Sequence, residues 1–387
     1  MEPSSFESSE FGVPRWAEEG EYWWFDPAPI ARSIQLEPET QLALSDADTA
    51  LGRLSGVGGM LRDPSLLMRP YATREALASA RIEGTQARLS EVYQAQASQD
   101  APRDRDVAEV TAHIAALEHG LSLAQDRLDF TILRKVHSIL MSDARGGAEP
   151  GELRQVPVWL GSPTERPETA VFVPPVGDAM IRALSSWEDF LSNPPRLPVL
   201  LRAALLHYQF LTVHPFIDGN GRVGRMFILL FLRRENQLSV PLLYLSPYFA
   251  ARRREYFDRL QAVREHGELQ QWLQFFLTAV ASQAEDGVVR ARELLDLREH
   301  YRIELSTSRS RALDVIELLF KNPVITTALI RRSLEITTQG ALNLIRGLEA
   351  RGWLVEVGSS GRGGATQWLA RDVFAIVARE EEQAGWS

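Results

Sequence analysis

The sequence predicts a mainly α-helical protein with one β-hairpin in its middle and a small α+β module near its C-terminal end. Three observations carry the prediction. Apolar residues recur at three- and four-residue spacing through most of the chain up to about Arg298. Between Gly151 and Pro175 the period changes to alternation. From residue 310 to 372, three short amphipathic stretches precede two strand-like runs. At 387 residues the chain suits two or three domains rather than one small core. Apolar content of 45% and charged content of 24% are those of a globular protein.

The opening MEPSSFESSEFG is acidic and polar, unlike a secretory leader, so residues 1–30 are expected to form a flexible N-terminal tail. Within it, Tyr22-Trp23-Trp24-Phe25 reads as a segment pinned to a core by large rings. Asp46 to Leu123 is patterned as helix, with a start near Thr73 and an amphipathic stretch from Thr111 to Leu123. In the alternating region, Val156, Val158 and Leu160 precede the turn formers Gly161 to Pro167. Ala170-Val-Phe-Val then runs into Pro174-Pro175, which fit only at a sheet edge. Such an edge can accept the backbone of another chain, or can be plain decoration. Leu197 to Val213 and Arg222 to Glu235 are strongly apolar helices, and a polar linker is expected between Glu299 and Ser310. No cysteine is present, which excludes disulfides, thiolate metal sites and cysteine nucleophiles and agrees with a cytoplasmic location. No apolar run is long enough to cross a bilayer, so no membrane partner is expected.

Between the two apolar helices lies His214-Pro-Phe-Ile-Asp-Gly-Asn-Gly-Arg-Val-Gly-Arg225. Pro215 ends the first helix, Asp218 can cap the second, and Phe216 is expected to anchor the loop in the core. Gly219 and Gly221 leave backbone amides bare at a helix N-terminus, where N–H groups and the dipole attract anions. Arg222 and Arg225, three apart, share a helix face and complete a polyphosphate cradle. Asp218 is a hard oxygen ligand suited to Mg2+, Asn220 a donor to a phosphate oxygen, and His214 a base for an incoming hydroxyl. Each residue alone has an ordinary structural explanation; together at one helix start they do not.

This stretch resembles the Fic-family motif H-P-F-x-[D/E]-G-N-G-R-x-x-R at every fixed position, and the likeness extends over about residues 30–285. It implies a Fic-type helical core with a β-hairpin flap, and transfer of AMP from ATP, with Mg2+, to Ser, Thr or Tyr hydroxyls of proteins. Carried over residue by residue, His214 becomes the base and Asp218 the metal ligand. Asn220 would meet the α-phosphate, Gly219 and Gly221 would supply amides, and Arg222 and Arg225 would hold the β- and γ-phosphates. Val171, Phe172 and Val173 resemble the flap that docks target backbone, and Arg264 falls where some relatives contact the nucleotide. Ser79-Ala-Arg-Ile-Glu83-Gly84 resembles the family's inhibitory pattern [S/T]-x-x-x-E-[G/N]; a Ser and a Glu four apart would otherwise mean nothing. In that role Glu83 pairs with Arg225 and takes the fork that the γ-phosphate needs. Some relatives use the same glutamate to remove AMP, and the sequence does not separate the two directions.

The implied domains are a helical region with the inhibitory helix over 31–125, a catalytic core over 126–298 and a winged-helix-like module over 308–380. In that module Ala312 to Lys321 is one helix, Thr326 or Thr327 and Thr337 or Thr338 cap two more, and Trp353–Val357 and Gln367–Ala370 flank a glycine-rich wing. Ser308 to Asp372 carries nine Lys/Arg against six Asp/Glu, a balance of +3 in a chain of net −9, so only this end suits DNA. Arg331, Arg332, Arg346 and Arg362 could meet phosphates, with Gln339 and Asn343 as base readers. Winged helices also contact proteins, so a DNA-binding regulator whose core senses nucleotide, self-modification and a homodimer all stay open.

Overall fold

The computed structural model describes residues 1–60, 63–98, 102–125, 127–142, 149–162, 164, 166–306, 311–360 and 365–383. The order is β1 (Gly12–Ala17), β2 (Tyr22–Pro27), α1 (Pro38–Gly59), α2 (Ser65–Ile82), α3 (Leu89–Ala97), α4 (Arg105–Ala124) and α5 (Phe130–Leu140). Then follow α6 (Gly177–Ser192), α7 (Val199–Val213), α8 (Asn220–Arg234), α9 (Ser246–Ala251), α10 (Arg253–His266) and α11 (Leu269–Glu304). The last part holds α12 (Ala312–Lys321), β3 (Val324–Thr326), α13 (Thr327–Leu334), α14 (Thr338–Glu349), β4 (Val355–Ser360), β5 (Ala365–Leu369) and α15 (Arg371–Gln383). The protein is mainly helical, as expected. It divides into a unit of Met1–Gly52, Ala115–Gln237 and Tyr248–Ser282, and a second of Arg53–Ile114, Leu238–Pro247 and Gln283–Ser387.

In the first unit α7 is mostly apolar and buried on every side, with no exposed residue from Leu200 to Val213. It packs closely on α8 because Gly224 has no side chain: a Cβ there would stand 3.1 Å from both Leu211 and Phe210. Trp187 of α6 donates its indole N–H to Leu206 O at 2.9 Å, and Trp272 of α11 donates to Ala204 O at 3.2 Å. These bonds satisfy large rings that would otherwise bury a polar atom unpaired. His207 faces the Gly224 carbonyl at 2.9 Å, which can only accept, so its other nitrogen accepts from Tyr256 Oη at 2.8 Å. Burial holds this imidazole at a pKa of about 3, a neutral structural strut.

The expected loose tail is instead ordered. β1 and β2 form an antiparallel hairpin pairing Trp16 with Trp23, whose rings meet edge-on at 5.4 Å. Phe25 is fully buried in a cluster with Met1, Ala170, Phe172 and Val173, which is the pinning expected of the aromatic run. Among the described residues the expected hairpin over 151–175 is reduced to one antiparallel bridge, Leu160 to Phe172. Pro163 and Glu165 of its turn lie outside the described residues.

In the second unit α2 begins at Ser65, eight residues before the expected start. Thr73 therefore lies within it and returns its hydroxyl to Arg69 O at 3.0 Å. α11 continues to Glu304 through half of the expected linker, of which residues 307–310 lie outside the described ones. α12 covers Ala312–Lys321 as read from its pattern. The Thr326 and Thr337 side chains accept from Leu329 N and Gly340 N, at 3.0 and 3.1 Å, to cap α13 and α14. The sheet order is β3-β5-β4; β3 was not anticipated, and α15 follows β5. The wing loop with Arg362 lies outside the described residues. Asn322, Thr326 and Gln367 donate to the carbonyls of Tyr93, Ala97 and Gln94 at 3.1–3.4 Å. They thereby satisfy acceptors at the α3 C-terminus. No described helix is long and apolar enough to cross a membrane.

Candidate functional site

α7 stops at a left-handed residue. His214, its C-cap, has φ 51° and ψ 60°, and its N–H still donates to Phe210 O at 2.9 Å. Few non-glycine residues hold this conformation, and where they do the surroundings enforce it. Phe216 then plugs the loop into the core, fully buried and stacked 3.8 Å from the His137 ring. Asn220 clamps the turn: Phe216 N donates to Asn220 Oδ1 at 2.9 Å and Asn220 Nδ2 donates to Phe216 O at 2.8 Å. This buried amide thus holds the loop, a role not expected from the sequence.

Gly219, rather than Asp218, is the N-cap of α8, with φ 79°. A Cβ there would approach Met141 Sδ at 3.1 Å and the His137 ring at 3.2 Å, so both torsion and space demand glycine. Asp218 instead turns back, its Oδ1 accepting from Gly219 N at 2.5 Å and its Oδ2 from Arg222 Nη2 at 3.3 Å. Val223 N makes the first α-helical bond, to Gly219 O, so the amides of Asn220, Gly221 and Arg222 form the dipole-positive end of α8. Arg222 and Arg225 are 6% and 3% exposed, two guanidinium groups beneath a carboxylate that is 63% exposed.

Two residues in the site were not singled out in the sequence. His137 Nδ1 accepts from Gly151 N at 2.8 Å, so its other nitrogen carries the proton and donates to Asp218 O at 3.0 Å. Burial keeps this ring below its usual pKa range. Arg154, 3% exposed, donates Nε to His214 O at 2.7 Å. A lone histidine on an amphipathic helix and a lone arginine carry no local signal. Only the fold brings them to the loop.

The His214 imidazole is pushed down to a pKa of about 3, first by desolvation and then by Arg154 and Arg264, so it rests neutral. Arg264 does not join the glycine loop. It lies at the end of α10, donates Nε to Thr212 Oγ1 at 3.1 Å and stacks 4.0 Å over the Phe172 ring. Of the flap residues, Val171 is half exposed, whereas Phe172 and Val173 are buried and Val173 O accepts from Phe25 N at 2.8 Å. In the second unit Ser79 is buried and Glu83 is the exposed C-cap of α2. Gly84 N bonds Arg81 O at 3.0 Å and Thr85 N bonds Ala80 O at 3.2 Å, a Schellman turn that sets Gly84 at φ 108°.

Among the described residues no three His, Asp or Glu converge on a metal position. The donor set of the loop is one exposed carboxylate above buried arginines. That fits a Mg2+ ion held by Asp218 together with phosphate and water, as this ion prefers.

Residues 41–122 match the Fic/DOC family N-terminal model, 127–232 the Fic/DOC family model and 313–365 an HTH DNA binding domain model. A protein adenylyltransferase Fic of Nematostella vectensis is 27% identical over 175 residues, 41% of this chain and 37% of its own. A probable protein adenylyltransferase of Aquifex aeolicus is 34% identical over 87 residues, 22% of this chain and 26% of its own. The chain therefore spans well under half the length of these curated relatives. A Fic family protein from Desulfovibrio desulfuricans superposes with a TM-score of 0.56 at 18% identity, over 87% of this chain and 97% of its own. Residues 134–508 of Fic-1 from Caenorhabditis elegans give 0.52 at 22% identity, over 67% and 75%. At these identities the likeness concerns the fold.

Proposed function

We propose that this chain, which carries Fic/DOC N-terminal and Fic/DOC domains followed by a helix-turn-helix domain, transfers AMP from ATP to hydroxyl side chains of proteins. The observation that carries the proposal is the single loop in which a neutral imidazole, an exposed carboxylate and two buried guanidinium groups surround a helix N-terminus. His214 takes the proton of the target hydroxyl. The oxygen attacks the α-phosphorus, the bond from that phosphorus to the bridging oxygen breaks, and pyrophosphate leaves. The α8 amides, Arg222 and Arg225 hold the β- and γ-phosphates and stabilise the charge that develops there. Mg2+, when bound at Asp218, neutralises phosphate charge. Substrate hydroxyls approach along the flap near Val171, and self-modification is the simplest readout.

The test compares ATP labelled on the α-phosphate with ATP labelled on the γ-phosphate, each incubated with the protein and Mg2+. Label from the α-phosphate is expected to become protein-bound and label from the γ-phosphate to leave as pyrophosphate. Protein-bound γ-label would mean phosphoryl transfer and would remove the reading.

A second reading concerns the C-terminal module. Arg331, Arg332, Gln339, Asn343 and Arg346 are all exposed on α13 and α14, and the HTH match supports DNA as the ligand. If the three arginines each meet a phosphate, log affinity should fall with log salt at a slope of about −3. Arg346→Ala should make that slope shallower by about 1. No gel retardation at about 50 mM salt would leave a protein partner for this face.

A further inference from the structure

A buried guanidinium is tolerated only where its donors find acceptors. Arg154 meets that demand with carbonyls from both the base and the flap. Its Nε donates to His214 O at 2.7 Å, and its Nη2 to Val213 O at 3.3 Å and to Pro175 O. Nη1 donates to Val156 O at 3.0 Å, and the Arg154 backbone N–H donates to Pro215 O at 3.0 Å. Three consecutive carbonyls, 213 to 215, therefore end on this one residue, and they bracket the left-handed torsion of His214. Val156 and Pro175 lie on either side of the Leu160–Phe172 bridge.

We propose that Arg154 is the positioning residue for His214, locking its left-handed backbone and tying it to the two stems of the flap. The base and the strand near which a target would dock are then held by one rigid fork. A hydroxyl delivered along the flap meets an imidazole already aimed at it, the arrangement that lowers the cost of orientation. The guanidinium keeps its charge at neutral pH, with its pKa near 10. It also disfavours protonation of His214, as Arg264 does from α10; Tyr22 of β2 faces Arg154 and Tyr208 of α7 faces Arg264. A lysine in its place could reach one or two carbonyls as a point charge but could not span both groups.

The inference rests on His214 being the base, and the test separates the two claims. Self-modification with α-labelled ATP is measured for the full chain, Arg154→Lys, Arg154→Gln, His214→Ala and the Arg154→Lys/His214→Ala pair, with thermal melting as a fold check. Arg154→Lys is expected to lower the maximal rate about 10²-fold, the scale of a small misplacement, with the half-saturating ATP concentration within about threefold. On top of His214→Ala, the same change should cost less than about twofold, because a residue that acts through the base has nothing left to position. A loss equal in both backgrounds, a loss only in ATP affinity, or two folded Arg154 variants at the parental rate each overturn the proposal. If His214→Ala itself runs at the parental rate, the functional reading fails instead.

Discussion

Replacing His214 with alanine is expected to lower AMP transfer by about 10²–10⁴-fold, the span that a positioned general base contributes. ATP affinity should stay nearly unchanged. The ring belongs to the left-handed C-cap of α7, whereas the groups proposed to hold the phosphates are the α8 amides, Arg222 and Arg225. Calorimetric titration with ATP checks the second half of the claim, and loss of both properties together would mean a collapsed loop. The pH dependence gives an independent view. With the free imidazole held near pKa 3 by burial, Arg154 and Arg264, its active form is the unprotonated one and protonation inactivates only at low pH. kcat/KM should therefore stay level from pH 7 down to about pH 5, where an ordinary histidine near 6.5 would have lost more than nine-tenths of its base form. A triphosphate brings negative charge close by and raises the imidazole pKa, so the acid limb of kcat should lie above that of kcat/KM. A level kcat/KM above pH 5 that vanishes with His214→Ala would tie both observations to one ring.

The parts of this site that could be read from sequence are those whose cause is local. The glycine loop between α7 and α8 is contiguous, and Phe216 is legible because a large ring beside a bare loop must go inward. The caps at Thr326 and Thr337 need only a hydroxyl two or three residues before the amide it accepts from. What escaped depends on distance along the chain. Arg154 and His214 are 60 residues apart, and His137 and Asp218 are 81 apart. No periodicity marks a side chain whose partners are carbonyls of another segment. The β1–β2 hairpin was hidden by its acidic composition, since its order comes from Phe25 burying itself beside Phe172 and Val173. The flap failed as a regular hairpin for a local reason: Pro157 within its first run and Pro174 and Pro175 at the end of its second withhold donors a ladder needs. The clamp that Asn220 places on Phe216 was not legible, because an amide can serve a phosphate or a backbone equally well.

Replacing Glu83 with glycine is expected to raise the maximal rate of AMP transfer about 10- to 100-fold. This is the range set by removing hydrogen bonds to a charged group worth about 1.5–3 kcal/mol, on the reading that its carboxylate competes for Arg225. The local geometry of α2 supports the choice of residue. Glu83 is the C-cap, where the helix dipole is negative and a carboxylate costs about 0.3–1 kcal/mol. The Schellman turn at Gly84 fixes the position of Glu83 one turn beyond the buried Ser79. Removing the charge relieves the dipole, and the added glycine costs about 0.5–1 kcal/mol in chain entropy. These two nearly cancel and the lost pairing with Arg225 remains, so the variant should melt a few degrees lower, and a faster rate from a less stable chain would not reflect unfolding. If the glutamate acts by displacing the γ-phosphate and with it the α-phosphate, without preventing binding, the gain should appear in kcat more than in KM. A parental kcat in the variant at saturating ATP would sink the inhibition. AMP removal, the rival role for the same carboxylate, predicts a different signature: an unchanged initial rate of addition, a higher plateau, and loss of the ability to strip AMP from protein modified beforehand.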